Sequence, residues 1–100
     1  HFIFCRSVSL YGQQDIGDAG LQVLLLALQK MPVLERLDLS YCGLSGRGTS
    51  GFVTLHAFKR LEAGGNPLSY EGLLELVRAL QEIPAFESLG IYSCGVKRHE

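Results

Sequence analysis

The chain has 100 residues, three cysteines and a formal net charge of −1, with 47% hydrophobic residues. That balance gives no overall pull toward nucleic acid or an anionic membrane surface, and Lys97, Arg98 and His99 are too few for a basic tail. The longest apolar run, Val23 to Leu28, is far short of the roughly 20 residues a membrane span needs, and Phe2-Ile3-Phe4 lacks the basic leader of a secretory signal.

In chain order, Cys5-x-x-Val8-x-Leu10 predicts a short strand with alternate residues facing inward. Tyr11-Gly12-Gln13-Gln14 then predicts a widened turn, since Leu10 to Ile16 is one residue longer than the matching step from Leu39 to Leu44. Gly20-Leu21, Leu24 and Ala27-Leu28 predict a helix whose Leu24–Leu28 pair forms a buried stripe, ending before Pro32. The second strand, Leu34-x-x-Leu37-x-Leu39, turns Leu37 and Leu39 inward and Arg36 and Asp38 outward, before a bend at Ser40-Tyr41-Cys42-Gly43.

The segment from Ser45 to Gly51 is poor helix material. Leu34 to Phe58 spans 24 residues, against 28 from Phe58 to Phe86, and the missing four amount to about one helical turn. A short helix, near Thr49 to His56, or an irregular turn is expected there. Phe58-x-x-Leu61-x-Ala63-x-x-Asn66-x-Leu68 gives a third strand and bend. Ser69 is the expected N-cap of a second helix carrying Gly72-Leu73, Leu76 and Ala79-Leu80 and ending before Pro84. Phe86-x-x-Leu89-x-Ile91-x-x-Cys94-x-Val96 begins a fourth unit.

One motif thus recurs, and the two helices match at a constant offset of 52 residues. A unit of this kind buries its apolar side only against a neighbouring copy. The expectation is one array spanning 1–100, with units 5–33, 34–57, 58–85 and a partial 86–100, belonging to a longer chain. Gly20 and Gly72 are expected to let helix and strand approach closely. Cys42 and Cys94 occupy equivalent places two strands apart, roughly 10 Å at the usual strand spacing, which is too far for a disulfide. Cys5 falls at a strand-start core position. All three are expected to be buried thiols in a reducing compartment, and with His56 they lack the clustering of a zinc site.

The 28-residue period, the Leu-x-x-x-Gly after the bend (Leu44 to Gly48, Leu68 to Gly72, with Ile16 to Gly20 alike) and the alternation Cys42, Asn66, Cys94 resemble the ribonuclease-inhibitor class of leucine-rich repeats. The resemblance covers nearly the whole chain. It implies an α/β solenoid, a horseshoe segment with a parallel β-sheet on the concave side and helices on the convex side. It also implies an intracellular setting, cytoplasmic or nuclear, and protein partners; the family has no shared catalytic residues.

Stacked strands bring outward residues into columns: Ser7, Arg36, Arg60, Ser88, then Ser9, Asp38, Glu62, Gly90, then Tyr11, Ser40, Gly64, Tyr92, with Tyr41 at the rim. Arg36, Asp38, Tyr41, Arg60, Glu62 and Tyr92 are therefore the candidate partner-binding residues, because interfaces are enriched in Arg and Tyr. The plainer account is that Arg36–Asp38 and Arg60–Glu62 are solvated charges that neutralise one another. Val23 and Leu26 align with Glu75 and Arg78, which are expected to face solvent. They form a possible convex patch, or the seat of a cap or of further repeats of the same chain. Arg47 lies in a glycine-rich loop without a phosphate-binding pattern. The expected function is a non-enzymatic protein-interaction scaffold acting through its concave face, without cofactor or metal and without nucleic-acid or membrane partners. The alternatives are a GTPase activator like that of Ran and a structural spacer within a large assembly.

Overall fold

The computed structural model describes residues 4–95. They form an α/β fold with four short strands, β1 (Ser7–Ser9), β2 (Arg36–Asp38), β3 (Arg60–Glu62) and β4 (Ser88–Gly90). The strands pair in parallel and in chain order. Helix α1 (Gly17–Leu28) connects the first pair, a 3₁₀ helix (Ser50–Thr54) the second, and helix α2 (Tyr70–Gln81) the third. Among the described residues no helix is long and apolar enough to cross a membrane.

The alternation of each strand sets the layers. Val8, Leu37, Leu61 and Leu89 are in register and face the helices, while Ser7, Arg36, Arg60 and Ser88 share one outward column and Ser9, Asp38, Glu62 and Gly90 another. Leu37, Leu39, Leu61 and Ala63 are buried against Leu21, Leu25 and Leu28 of α1, Phe52 and Leu55 of the middle connection, and Leu76, Ala79 and Leu80 of α2. Phe52, Phe58 and Phe86 stack along the strand starts, with successive ring centroids 5.5 and 5.7 Å apart. Each fully buried ring contributes about 1.5–3 kcal/mol relative to an exposed one.

The bends after the strands share a backbone signature. Gly12, Tyr41, Gly65 and Ser93 all have positive φ, between 55° and 80°. They lie in one column, because Gly12 N–H donates to Ser40 O, Tyr41 N–H to Gly64 O and Gly65 N–H to Tyr92 O, each at 2.9 Å. Tyr41 and Ser93 hold a conformation that non-glycine residues seldom adopt. Inside the bend sits Asn66, 1% exposed. Its Oδ1 accepts from Cys42 and Leu44 N–H, and its Nδ2 donates to Leu39 and Ala63 carbonyls. The thiols take over only the donor role: Cys42 Sγ points at Leu10 O (3.1 Å) and Cys94 Sγ at Ala63 O (3.3 Å).

Where a short helix near Thr49 to His56 or an irregular turn is expected, the middle connection holds a 3₁₀ turn at Ser50–Thr54, and two carboxylates tie it down. Asp18, at the start of α1, accepts from Ser45 N–H at 2.9 Å and from its hydroxyl. Glu75, on α2, accepts from Thr49 N–H at 2.9 Å. Glu75 is therefore not the solvent-facing residue expected from the helix pattern, although Arg78 is exposed. Ser69 caps α2 as expected, accepting from Gly72 N–H at 2.8 Å, whereas Ile16 at the head of α1 makes no side-chain cap bond.

Three further expectations change. Gly72 does permit a close approach, but to the Ser45 carbonyl of the middle connection rather than to a strand. A side chain at Gly20 would meet only Ile16. The core stripe of α1 is Leu21, Leu25 and Leu28, with Leu24 half-buried, because α1 is packed on one flank only. Cys5 is half-buried, not core, since β1 is an edge strand; its thiol donates to Ser7 O at 3.2 Å. Cys42 and Cys94 are buried, and all three cysteines are free. The widened turn at 11–14 is present, with Gly12 at φ +80°.

Candidate interaction surface

The sheet face opposite the helices carries the candidate residues because each three-residue strand points its first and last side chains that way. Ser7, Ser9, Arg36, Asp38, Arg60 and Glu62 line a groove of about 610 Å³, bordered by Glu87 and Ser88. Arg36 and Arg60 are directly paired neighbours in the register, so two cations lie side by side. Arg60 turns toward Glu87 at 3.7 Å, with both side chains more than half exposed. Among the described residues Arg36 has no ion-pair partner.

Among the described residues neither Asp38 nor Glu62 forms an ion pair with Arg36 or Arg60. Asp38 Oδ1 accepts from Ser40 N–H at 2.9 Å and closes its own bend. The Glu62 carboxylate lies over Gly90, where any side chain would collide with it. A second ionic row runs along the strand starts: Arg6 to Glu35 at 2.9 Å and Glu35 to Lys59 at 3.8 Å.

Aromatic rings occupy the other end of the strands. Tyr11 and Tyr41 meet edge to face with centroids 5.4 Å apart. The Tyr41 ring covers Gly65, the Tyr92 ring covers Gly64, and the Tyr92 hydroxyl is 3.5 Å from Ser40 Oγ. The pair Gly64-Gly65 is thus the floor on which Tyr41 and Tyr92 lie, since neither ring position tolerates a side chain beneath it. Tyr11 belongs to this strip although it was not among the candidates. Its place in the column Tyr11, Ser40, Gly64, Tyr92 is the signal that points to it.

Val23 and Leu26 are 69% and 63% exposed. They lie away from the sheet face, in an apolar groove of about 800 Å³ that also includes Val8, Leu10 and Leu24 beside the β1 edge. Arg47 is exposed and contacts Glu71 at 3.4 Å. Burial pushes the Cys42 thiol above its ordinary pKa; the Gln13 backbone opposes this and the Asp38 charge adds to it. Among the described residues no group of three or more His, Cys, Asp or Glu side chains converges as a metal site would require. The face offers charge, hydrogen-bond donors and aromatic area. Neither a scan against models of known protein families nor a search of curated proteins returned a match for this chain.

Proposed function

We propose that the chain is a segment of a leucine-rich-repeat solenoid of the ribonuclease-inhibitor class and acts as a non-enzymatic scaffold binding a protein through its exposed sheet face. The observation that carries this reading is the column of Arg36 and Arg60, exposed and in register beside Asp38 and Glu62, with the tyrosine strip at one end. Arginine and tyrosine anchor protein interfaces because they combine apolar area with directional donors. The register of four parallel strands in chain order, the Asn66–cysteine alternation in the bends and the helical connections support the repeat assignment. The setting proposed is intracellular, cytoplasmic or nuclear, in keeping with three free thiols.

Affinity capture followed by quantitative binding tests the reading. Arg36→Ala with Arg60→Ala is expected to weaken the partner at least thirtyfold, the scale of a hot spot of about 2 kcal/mol. Arg78→Ala with Gln81→Ala, on the exposed side of α2, leaves binding unchanged. Loss caused only by Val23 and Leu26 substitutions would move the site to the helix side. Nucleotide hydrolysis by a GTPase that falls on Arg47→Ala would replace the scaffold reading with the activator one.

A further inference from the structure

We propose that the sheet face reads a dipolar segment of its protein partner, with an acidic side chain seated on Arg36 and Arg60 and a basic one seated against Asp38, Glu62 and the Tyr92 ring. This rests on the scaffold reading above and names the chemistry of the partner that such a scaffold takes.

Arg36 and Asp38 belong to β2, Arg60 and Glu62 to β3, and each of these strands has a paired neighbour on both sides. The register sets Arg36 beside Arg60 and Asp38 beside Glu62, so both outward columns carry a like-charge doublet at the centre of the sheet. Like charges directly opposite one another across a strand pair are destabilising. The row at the strand starts is built the other way. There Glu35 stands between Arg6 and Lys59, at 2.9 and 3.8 Å, and pairs with both. Among the described residues no ion pair joins the two outward columns, which leaves each doublet to be met by a charge from outside.

The side chains of the face favour ions of opposite sign at the two columns. Glu62 leans over Gly90, and Tyr92 leans back over Gly64, the next outward position along the sheet. The Tyr92 hydroxyl lies 3.5 Å from Ser40 Oγ, so the ring crosses the sheet surface, and it is 53% exposed. An exposed aromatic face beside carboxylates attracts an ammonium or guanidinium, which can meet ring and carboxylate together. Arg36 and Arg60, both exposed, offer paired guanidinium donors to a carboxylate.

Charge balance and spacing select the occupant. The groove lining holds two arginines against three carboxylates, Asp38, Glu62 and Glu87. A polyanion therefore gains at one column and loses at the next. The columns lie two residues apart along the strand, about 6.6 Å. An extended peptide repeats its side chains on one face at that same interval, so a Glu-x-Lys or Asp-x-Arg step matches both columns at once. Complementarity of this kind fixes the register and direction of a partner more than it adds affinity.

Titration of the isotope-labelled full chain with capped peptides of equal length, read by amide chemical shifts at low salt, tests this. The peptides differ only in carrying one Glu-Thr-Lys, Glu-Thr-Glu or Lys-Thr-Lys step in a serine–glycine chain. The Glu-Thr-Lys peptide is expected to shift both columns and to bind roughly fivefold more tightly than either of the others, the scale of one exposed ion pair. Arg36→Gln with Arg60→Gln, and Asp38→Asn with Glu62→Gln, are each expected to abolish that preference. Asp38→Asn keeps an acceptor for the Ser40 N–H, and thermal melts check that both variants hold the fold. Equal or tighter binding of the Glu-Thr-Glu peptide would overturn the dipolar assignment and leave the scaffold reading standing. So would a preference that survives Asp38→Asn with Glu62→Gln. No shift at either column from any peptide would overturn this proposal alone, whereas shifts confined to the helix side would overturn both.

Discussion

Asn66 and Cys42 lie in consecutive bends, and the side-chain oxygen of the first accepts the backbone N–H of the second at 2.9 Å. The same oxygen takes the Leu44 N–H at 3.1 Å, while the amide nitrogen holds the carbonyls of Leu39 and Ala63. One buried side chain therefore satisfies four backbone groups from two adjacent strands and bends. Asn66→Ala is expected to cost about 3 kcal/mol or more, because buried donors and acceptors left unpaired cost about 1–3 kcal/mol each. Asn66→Cys, which keeps a donor as Cys42 and Cys94 do, is expected to cost less. Equilibrium urea unfolding of both variants checks the order.

The two helix-entry glycines are expected to behave in opposite ways. A side chain at Gly72 would run into the Ser45 carbonyl, a backbone atom held by its own hydrogen bond from Ser69 N–H. Gly72→Ala is expected to destabilise by about 1–3 kcal/mol, as overpacking does. At Gly20 the nearest atom is a methyl of Ile16 at 3.1 Å, which can give way. Gly20→Ala is expected to be neutral or stabilising by up to about 1 kcal/mol, through helix propensity. Thermal melts of the two variants decide it.

Glu75→Ala is expected to destabilise by about 1–2 kcal/mol, through loss of the acceptor for Thr49 N–H at the entry of the 3₁₀ turn. Glu75→Gln keeps a neutral acceptor and is expected to recover at least half of that. Amide exchange at Thr49 reads the effect directly: it is expected to quicken in the alanine variant and to stay slow in the glutamine variant.

Burial raises the Cys42 thiol above its ordinary value, so the folded state resists ionisation where the unfolded chain ionises freely. The stability this contributes is fully present below the unfolded thiol pKa, near 8.5, and is lost as pH rises from there through the folded value. Unfolding free energy is expected to fall with pH in that alkaline window, with a shallower slope in Cys42→Ala. At neutral pH the half-buried Cys5 is expected to be alkylated before Cys42, since only the thiolate attacks and reagent must reach it. Mass mapping after brief treatment with a maleimide checks the order.

Much of the sheet was legible because one strand motif recurs, and parallel strands that each carry it align in one register. The columns through Arg36 and Arg60 and through Asp38 and Glu62 follow from Leu37 and Leu61 alone. The face of α1 was not. Leu21 and Val23 to Leu28 are apolar on every side, so periodicity there selects no stripe, and the answer depends on which flank is packed. Asp18 and Glu75 escaped for a different reason. A carboxylate bonding a backbone N–H 26 or 27 residues away leaves no trace in local spacing. The tyrosine strip was half legible: Tyr41 and Tyr92 could be placed at the rim, but their resting on Gly64 and Gly65 is a tertiary fact. The partners of the sheet-face charges were likewise set by rotamers, which took Arg60 to Glu87 rather than to Glu62.

Because the strands follow one another in chain order, β1 and β4 lie at opposite edges of the sheet. Tension applied between them acts across the ladder, on one strand-to-strand seam at a time, and never shears the whole sheet at once. Such a molecule yields like a zip, strand by strand, at low force. The seams are not equal. β2 and β3 are additionally laced by Asn66, and the Phe58–Phe86 ring contact crosses from the start of β3 to that of β4, so β1 is expected to peel first.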